Sequence, residues 1–354
     1  MTSVFRAVGM AAAAVLFFEA AAAGFQRKKK QEEEITQTLE LPPDPPAAVA
    51  ADPSRLAFLH APLSAQGLLS RQTRDALRLL LQNARGARFV RIRAWVAGTG
   101  DLRRVQTIVA ETFAEKKQPL PVLTVAQVGA LPLEGAQVQL EAVIEQRKPA
   151  GAGIVFAAAE SPSPQETLGR IQRAFQQAEA LPGAPVSLVC GVTSADLLEP
   201  LRAAAYSAFP RAAFVSFQQQ RIPGPPLAAC QAAASISKPV ADGVRRLDAG
   251  VAISAPRIIL SGAQLAFRYE ESDARLAYQR LGRTLQQAGA SLKSALILNV
   301  YPLSAQLAEL AARVRSEFVN AAQPPAGLVV PLEGLPSMDG AFALEAVALP
   351  APGA

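Results

Sequence analysis

Apolar positions between residues 55 and 350 recur in three ordered sets, and each set predicts a pair of helices. The first helix of each pair is predicted by the stretches 77–84, 171–178 and 281–288, which end in similar four-residue segments. In each stretch an apolar residue stands four positions before the segment begins. The second helix carries apolar residues at i, i+3, i+7 and i+11, which places them on one helix face. These residues are Leu102, Val105, Val109 and Phe113, then Leu198, Leu201, Ala205 and Phe209, then Leu307, Leu310, Val314 and Phe318.

Strand patterns surround the second helix of each set. A short β-type run precedes it, at 89–96, 186–192 and 295–301. A closing strand with alternating apolar and polar positions follows it, which is typical of a strand with one buried face. The closing strands are 138–142, 228–232 and 342–346, and each follows an apolar-proline step, namely Leu131-Pro132, Ile222-Pro223 and Leu335-Pro336. Each set therefore predicts strand, helix, strand, helix, strand, strand.

This order predicts a repeated α+β module, a mixed sheet with two helices on one face. The equivalent phenylalanines are spaced about 96 and about 109 residues apart, which is the size of one small domain. A lone module would leave the other sheet face apolar and exposed, so we expect the three copies to pack these faces together as a pseudo-trimer within one chain. The predicted copies are residues 55–147, residues 148–240, which are the most diverged, and residues 241–354.

The first 54 residues have a different character. Residues 1–24 contain Arg6, an apolar run and the end Ala21-Ala22-Ala23-Gly24, which is the pattern of a cleaved secretory signal. Glu19 and the basic cluster at 27–30 favour the competing interpretation, an uncleaved membrane anchor. The apolar run is shorter than the roughly 20 residues of a membrane span, so we expect export and no stable span. Residues 25–54 are charged and proline-rich, and they predict a disordered or extended linker.

Composition restricts the possible chemistry. The formal net charge is +6 and the pI is near 9.6, but the excess is spread along the chain, so we expect no nucleic-acid partner. His60 is the single histidine, which excludes metal sites and catalytic relays that need several, and its position in an apolar run favours a structural role. Cys190 and Cys230 have no metal-binding spacing, so we expect buried thiols, or a disulfide if the chain is exported.

The apolar-proline step, the closing strand and the helix ending in phenylalanine resemble the Rid/YjgF (RidA-like) family of reactive-intermediate deaminases over about residues 55–350. The segment 258–262 also resembles that family's V-F-V-S-G strand. The resemblance implies a chorismate-mutase-like fold, in which three sheets form a central barrel with helices outside and ligand clefts between neighbours. It also implies hydrolysis of enamines and imines to keto acids and ammonia, with no cofactor.

The family's catalytic groups are absent from the matching positions. In the family, an arginine nine residues before the proline of the step binds the substrate carboxylate, and an acidic residue on the closing strand orients water. The arginine positions are Leu123, Phe214 and Gly327, and the acid positions are Gln139, Ala229 and Ala343. A charge-assisted hydrogen bond contributes about 1.5–3 kcal/mol, so the loss of the donor in every copy should abolish that activity.

Other family positions are partly kept. A second acidic position on the closing strand, which we interpret as structural, is Glu141 in copy one and Glu345 in copy three. The family's helix asparagine falls on Gln106, Arg202 and Ala311.

Arg211 is the remaining candidate ligand-binding residue. Pro210-Arg211-Ala212 also resembles the arginine element if residues 218–220 contain an insertion. The other interpretation is a solvated arginine that opens a strand.

The sequence therefore favours a periplasmic or secreted, non-catalytic protein that binds an unknown small molecule or acts as a scaffold. The alternative is a 2-iminobutanoate/2-iminopropanoate deaminase-like hydrolase that retains one cleft around Arg211. A monomer is expected, because the usual trimer contacts would be made within the chain. No catalytic residue, metal or cofactor is assigned.

Overall fold

The computed structural model describes residues 42–98, 100–221 and 224–351. The predicted leader, most of the linker and the Ile222-Pro223 step lie outside these residues. Among the described helices, none combines the length and the apolar character needed to cross a bilayer. The helices are numbered α1 to α6 and the strands β1 to β15 in chain order, and the strands form three sheets.

Sheet 1 has the strand order β2-β5-β3-β4 and carries two helices on one face. Its elements are β2 (Leu56–His60), α1 (Leu69–Ala84), β3 (Arg88–Ala97), α2 (Leu102–Glu115), β4 (Val122–Val128) and β5 (Val138–Glu145). The crossover through α2 makes β3 and β4 parallel, whereas β5 is antiparallel to both of its neighbours. Asp101 caps α2 by accepting hydrogen bonds from the backbone N–H groups of Arg103 and Arg104.

Sheet 2 contains the same arrangement, with strands in the order β6-β9-β7-β8 and a parallel β7-β8 pair. Its elements are β6 (Gly153–Ser161), α3 (Pro164–Gln177), β7 (Val186–Val192), α4 (Leu198–Ala208), β8 (Ala212–Gln218) and β9 (Ala228–Ile236). Two more strands, β10 (Val244–Leu247) and β11 (Gly250–Ile253), extend it beyond β6. These two strands were predicted to belong to copy three, but the buried strand β11 pairs with the edge of sheet 2.

Sheet 3 is built around a long final strand, β15, which pairs with β12, β13 and β14. Its elements are β12 (Ile258–Ser261), β13 (Gln264–Phe267), α5 (Glu271–Gln287), β14 (Ala290–Pro302), α6 (Ala305–Phe318) and β15 (Gly340–Pro350). The strand predicted between α6 and β15 is reduced to isolated parallel pairings of Ala326 with Ile297 and of Val329 with Val300. Prolines at 324, 325 and 331 explain this difference, because they cannot donate to a strand ladder.

The linker prediction also differs from the structure near its end. Residues 48–51 were expected to be extended or disordered, but they form β1 (Ala48–Ala51) and pair antiparallel with β12 of sheet 3. The apolar sequence Ala-Val-Ala-Ala covers an otherwise open strand edge, which stabilises both partners. The first described strand therefore belongs to the last sheet.

The faces of the three sheets that carry no helices pack against one another. Each helix pair has its own apolar core with its sheet, and two further clusters contain residues from all three sheets. One of these clusters includes Phe58, Ile154 and Leu260, and the other includes Trp95, Phe217 and Tyr301. Trp95 stacks on Phe217 with ring centroids 4.6 Å apart, so aromatic contacts join sheets 1 and 2 directly.

Backbone hydrogen bonds also connect the sheets. Gly129 donates its N–H to the Gln218 carbonyl at 2.8 Å, and Gln218 donates to the Ala130 carbonyl at 2.8 Å. Two residues earlier, the Gln127 N–H donates to the Gly334 carbonyl at 2.9 Å. The end of β4 is thus tied to the end of β8 and to the segment that follows α6.

Candidate functional site

A layer of buried polar side chains lies among the inward faces of the three sheets. Arg91 and Arg93 on β3, Glu141 on β5 and Glu345 on β15 are each at most 7% exposed. The Glu345 carboxylate accepts hydrogen bonds from Arg91 Nη1 at 3.0 Å, from Arg93 Nε at 3.2 Å and from Thr124 Oγ1 at 2.8 Å. Arg93 Nη2 also donates to Glu345, and Arg93 Nη1 donates to Glu141 at 3.0 Å. The Arg93 guanidinium thus bridges two carboxylates on different sheets, and Arg91 adds a second cation to Glu345.

The charges in this layer change the proton affinity of Glu345. Burial alone would raise the pKa of this carboxyl, but the charges of Arg93 and Arg91 and the hydrogen bonds from Arg93 and Thr124 lower it to about 2. Burial raises the pKa of Tyr301, which lies beside the same charges. Both groups therefore keep one protonation state at neutral pH, which fits a fixed ion-pair network better than a proton-transfer site.

Sheet 2 contributes only neutral groups to this layer. Gln231 on β9 donates from Nε2 to Asn299 Oδ1 at 2.8 Å, and Asn299 donates back to Gln231 Oε1 at 3.2 Å. A cavity of about 30 Å³ lies beside them and is also lined by Arg91 and Ser187. That volume suits ordered water rather than an organic ligand, since one water needs about 10–15 Å³.

A larger cleft, of about 330 Å³, lies between sheet 1 and sheet 2. Sheet 1 supplies His60 at the end of β2 and Gln139 on β5. Sheet 2 supplies Phe214 and Ser216 from its edge strand β8. It also supplies Arg202 and Tyr206 from α4, which share a helix face because they are four positions apart. The remaining lining consists of apolar loop residues of sheet 1, namely Pro62, Leu63, Pro132 and Leu133.

Gln139 gives the strongest indication that this cleft binds a molecule. Its side chain is 5% exposed, and its Oε1 has no hydrogen-bond partner among the described residues. A buried acceptor without a donor costs about 1–3 kcal/mol, so a donor from a bound molecule or water would satisfy it. Arg202 lies on the facing wall with its side chain 35% exposed, where Glu199 is its ion-pair partner at 2.8 Å.

His60 lines the cleft, although its sequence context indicated a structural role. In the described part of the chain its imidazole makes no hydrogen bond, and it faces the cleft. Burial lowers the pKa of His60, and the charge of Glu141 opposes this only in part. A neutral imidazole can both donate and accept a hydrogen bond, so His60 adds a second polar contact for a ligand.

The positions that correspond to the family arginine hold no cation. Leu123 and Phe214 are buried, and Phe214 lines the cleft on the wall facing Gln139. Gly327 has φ 141°, and a Cβ at this position would collide with the carbonyl oxygen of Leu298. An arginine therefore cannot occupy the third position without rebuilding the backbone. At the closing-strand acid positions, Ala229 and Ala343 are buried small apolar residues.

Arg211 lies outside the cleft between the sheets. It precedes β8, its side chain is exposed, and its Nη1 donates to the Gly183 carbonyl at 2.7 Å. It lines a separate groove of about 240 Å³ on the helix side of sheet 2, together with Phe175 and Phe209. The structure does not bring it near Gln139, His60 or the buried arginines of sheet 1.

Cys190 and Cys230 form a disulfide rather than two free thiols. They are directly opposite one another on β7 and β9, with Cα atoms 4.1 Å apart, and both are fully buried between sheet 2 and its helices. The sequence left a disulfide as an open possibility, and this cross-strand register explains it.

Four residues of the buried polar layer and the cleft were not predicted from the sequence. Arg91 and Arg93 stand two positions apart in a strand that is apolar apart from Arg88 at its start, a spacing that directs both side chains to one sheet face. That pattern was a usable signal of a buried charge layer. No comparable sequence pattern marks Ser216 and Tyr206, because their place in the cleft depends on which helix and strand of sheet 2 face sheet 1.

Comparison with known proteins gives a limited result. No family model and no curated protein matches the chain. A YjgF-family protein from Neisseria meningitidis matches with 14% identity, 30% of this chain and 91% of its own covered, and a TM-score of 0.25. RidA from an Antarctic Psychrobacter species matches with 17% identity, coverage of 31% and 91%, and a TM-score of 0.24. Yeast Mmf1 matches with 14% identity, coverage of 32% and 98%, and a TM-score of 0.25. The chain is thus similar, over about a third of its length, to solved structures that include YjgF and RidA proteins.

Proposed function

We propose that this protein is an exported, RidA-like assembly of three diverged copies in one chain, which has lost the family's deaminase groups and binds a small molecule in one cleft. The observation that carries the proposal is the cleft between sheets 1 and 2, where Gln139 presents a buried acceptor opposite Arg202. Each part of the proposal has its own support.

The recurring topology supports three copies. Sheets 1 and 2 share the strand order, the parallel pair and the positions of both helices. Sheet 3 keeps the two helices and the central closing strand, with its fourth strand reduced to isolated pairings. The joint burial of their open faces supports packing as a pseudo-trimer.

The chemistry of the cleft supports binding without the family reaction. At the Phe214 position an aromatic ring stands in place of the family arginine that binds the substrate carboxylate. Gln139 stands in place of the acid that would orient water. An amide is not a general base at neutral pH, so the cleft can hold a polar molecule but has no group at these positions to activate water.

The lining indicates the class of ligand. The volume of about 330 Å³ fits a small organic molecule. Gln139 Oε1 requires an N–H or O–H donor, and Arg202 favours an anionic or strongly accepting group on the opposite side. Phe214 and Tyr206, whose ring centroids are 5.6 Å apart, offer an aromatic surface for the body of the ligand.

Export is supported by two features. The pattern of residues 1–24 is that of a secretory signal. The Cys190–Cys230 disulfide fits an oxidising compartment, where such bonds persist. A periplasmic or secreted location would also separate the protein from enamines produced by cytosolic enzymes.

Ligand screening by thermal unfolding tests the proposal. Small molecules that carry both an N–H donor and an anionic group should raise the unfolding temperature of the wild-type protein. Gln139→Leu and Arg202→Gln should each weaken the binding of the best compound about tenfold, whereas Arg173→Gln on the exposed face of α3 should not. Compounds that bind equally well to all three variants would show that the cleft is not the binding site.

A further inference from the structure

The three sheets place different side chains at equivalent positions of the buried polar layer. The position opposite the closing-strand residue Glu141 is Arg93, whereas Val189 is opposite Gln231 and Asn299 is opposite Glu345. Two residues earlier on the same strands the side chains are Arg91, Ser187 and Ile297. Sheet 1 thus contributes two arginines and a glutamate, sheet 2 contributes no charge, and sheet 3 contributes one glutamate.

Among rings that contain sheet 1, only the ring with one sheet of each kind balances the charges of this layer. Sheet 1 alone has an excess of positive charge, which Glu345 of sheet 3 neutralises through both Arg91 and Arg93. A ring in which a second sheet 1 replaced sheet 3 would bury unpaired guanidinium groups. A ring in which sheet 3 replaced sheet 1 would bury carboxylates without a cation. Both alternatives carry the large desolvation penalty of an uncompensated buried charge.

We propose that the Arg91–Arg93–Glu345 contact selects which copies can share a ring, and that it directs folding to the closed monomer with one sheet of each kind. Buried ion pairs often add little net stability compared with apolar residues, but a polar buried group can specify which partners associate. The inference uses the equivalence of the three sheets in the proposed function and does not depend on any ligand.

A matched pair of double variants separates this role from simple stabilisation. Arg91→Met/Glu345→Gln keeps Arg93 paired with Glu141, but this pair lies within sheet 1. Arg91→Met/Glu141→Gln keeps Arg93 paired with Glu345, which still joins sheets 1 and 3. Both variants lose one arginine and one glutamate, so the buried charge stays balanced in each.

Each protein would be unfolded in urea with its disulfide intact, refolded at a series of concentrations and analysed by sedimentation velocity. The wild type and Arg91→Met/Glu141→Gln should return to monomer at all concentrations. Arg91→Met/Glu345→Gln should give an oligomer fraction that increases with concentration, because mismatched copies no longer carry a charge penalty. Equal monomer fractions in the two double variants would overturn the proposal.

A second pair covers the possibility that the first double variant does not fold. Glu345→Asp and Glu141→Asp both retain the charge but shorten the side chain, and only Glu345→Asp loosens the contact between sheets. Glu345→Asp should therefore refold with the larger oligomer fraction, because the ring with one sheet of each kind loses part of its advantage over mismatched rings. An equal or smaller fraction than that of Glu141→Asp would overturn the proposal. Because no ligand is added, these outcomes are independent of whether the cleft binds a small molecule.

Discussion

The Arg93 guanidinium of sheet 1 is hydrogen-bonded to the Glu345 carboxylate of sheet 3, with 3.2 Å between Nε and Oε2 and 252 residues between them in the chain. Strand β1, which precedes sheet 1 in the chain, pairs with β12 of sheet 3. The beginning and the end of the described fold are therefore joined at the surface by a strand and in the interior by an ion pair.

Replacing Glu345 should destabilise the protein strongly. Glu345→Gln leaves two buried guanidinium groups with one carboxylate, and breaking such a buried pair costs about 3–5 kcal/mol. Urea unfolding measures this loss. Glu309→Gln on the exposed side of α6 is the control and should change the free energy of unfolding by less than about 0.5 kcal/mol. Similar unfolding midpoints for the two variants would contradict the assigned role of Glu345.

The stability of the protein should decrease in acid through the same residue. The pKa of Glu345 is about 2 in the folded protein, below its ordinary value of 4.5, so the unfolded state takes up the proton first. This contribution is complete above the ordinary pKa and is lost as the pH falls toward the folded pKa. The free energy of unfolding, measured by urea titration at several pH values, should fall more steeply for the wild type than for Glu345→Gln. Parallel curves would show that Glu345 is not the responsible group.

The disulfide should resist reduction while the protein is folded. Cys190 and Cys230 are fully buried, so reductant and alkylating reagent should reach them only after unfolding. Removing the bond by Cys190→Ala/Cys230→Ala should lower the free energy of unfolding by about 3–4 kcal/mol, because the bond closes a 40-residue separation. Intact-mass analysis of the purified protein checks the bond directly. A mass that corresponds to two free thiols would contradict it.

The sequence allowed the helices to be predicted from apolar residues spaced along one helix face, and most strands from short apolar or alternating runs. Of the predicted second-helix positions, all lie within α2, α4 and α6 except Phe209, which directly follows α4. Local patterns could not predict β1, since the pairing of Ala48–Ala51 with β12 depends on a strand that follows about 200 residues later. The broken strand between α6 and β15 was predictable in principle, because the prolines at 324, 325 and 331 are visible in the sequence.

The candidate site was predictable only in part. The positions that the family resemblance singles out, including Gln139 and Phe214, could be read from the sequence, and the structure places these two on facing walls of one cleft. The resemblance also singled out Arg202, but its place on the cleft wall depends on how α4 packs near sheet 1. Arg211, the ligand-binding candidate that the sequence left beside a solvated arginine at a strand start, is exposed and donates to the Gly183 carbonyl at a different surface.

The most direct test of the account is the hydrolysis of 2-iminobutanoate, generated in situ, by the purified protein. Leu123, Phe214 and Gly327 stand where the resemblance places the family arginine, and Gln139 stands at one of the positions of the family acid. The proposed loss of these groups predicts that the imine disappears at the same rate as in buffer. Faster clearance that is proportional to protein concentration and is abolished by Arg211→Ala would contradict the account, and would instead identify a hydrolase that uses Arg211.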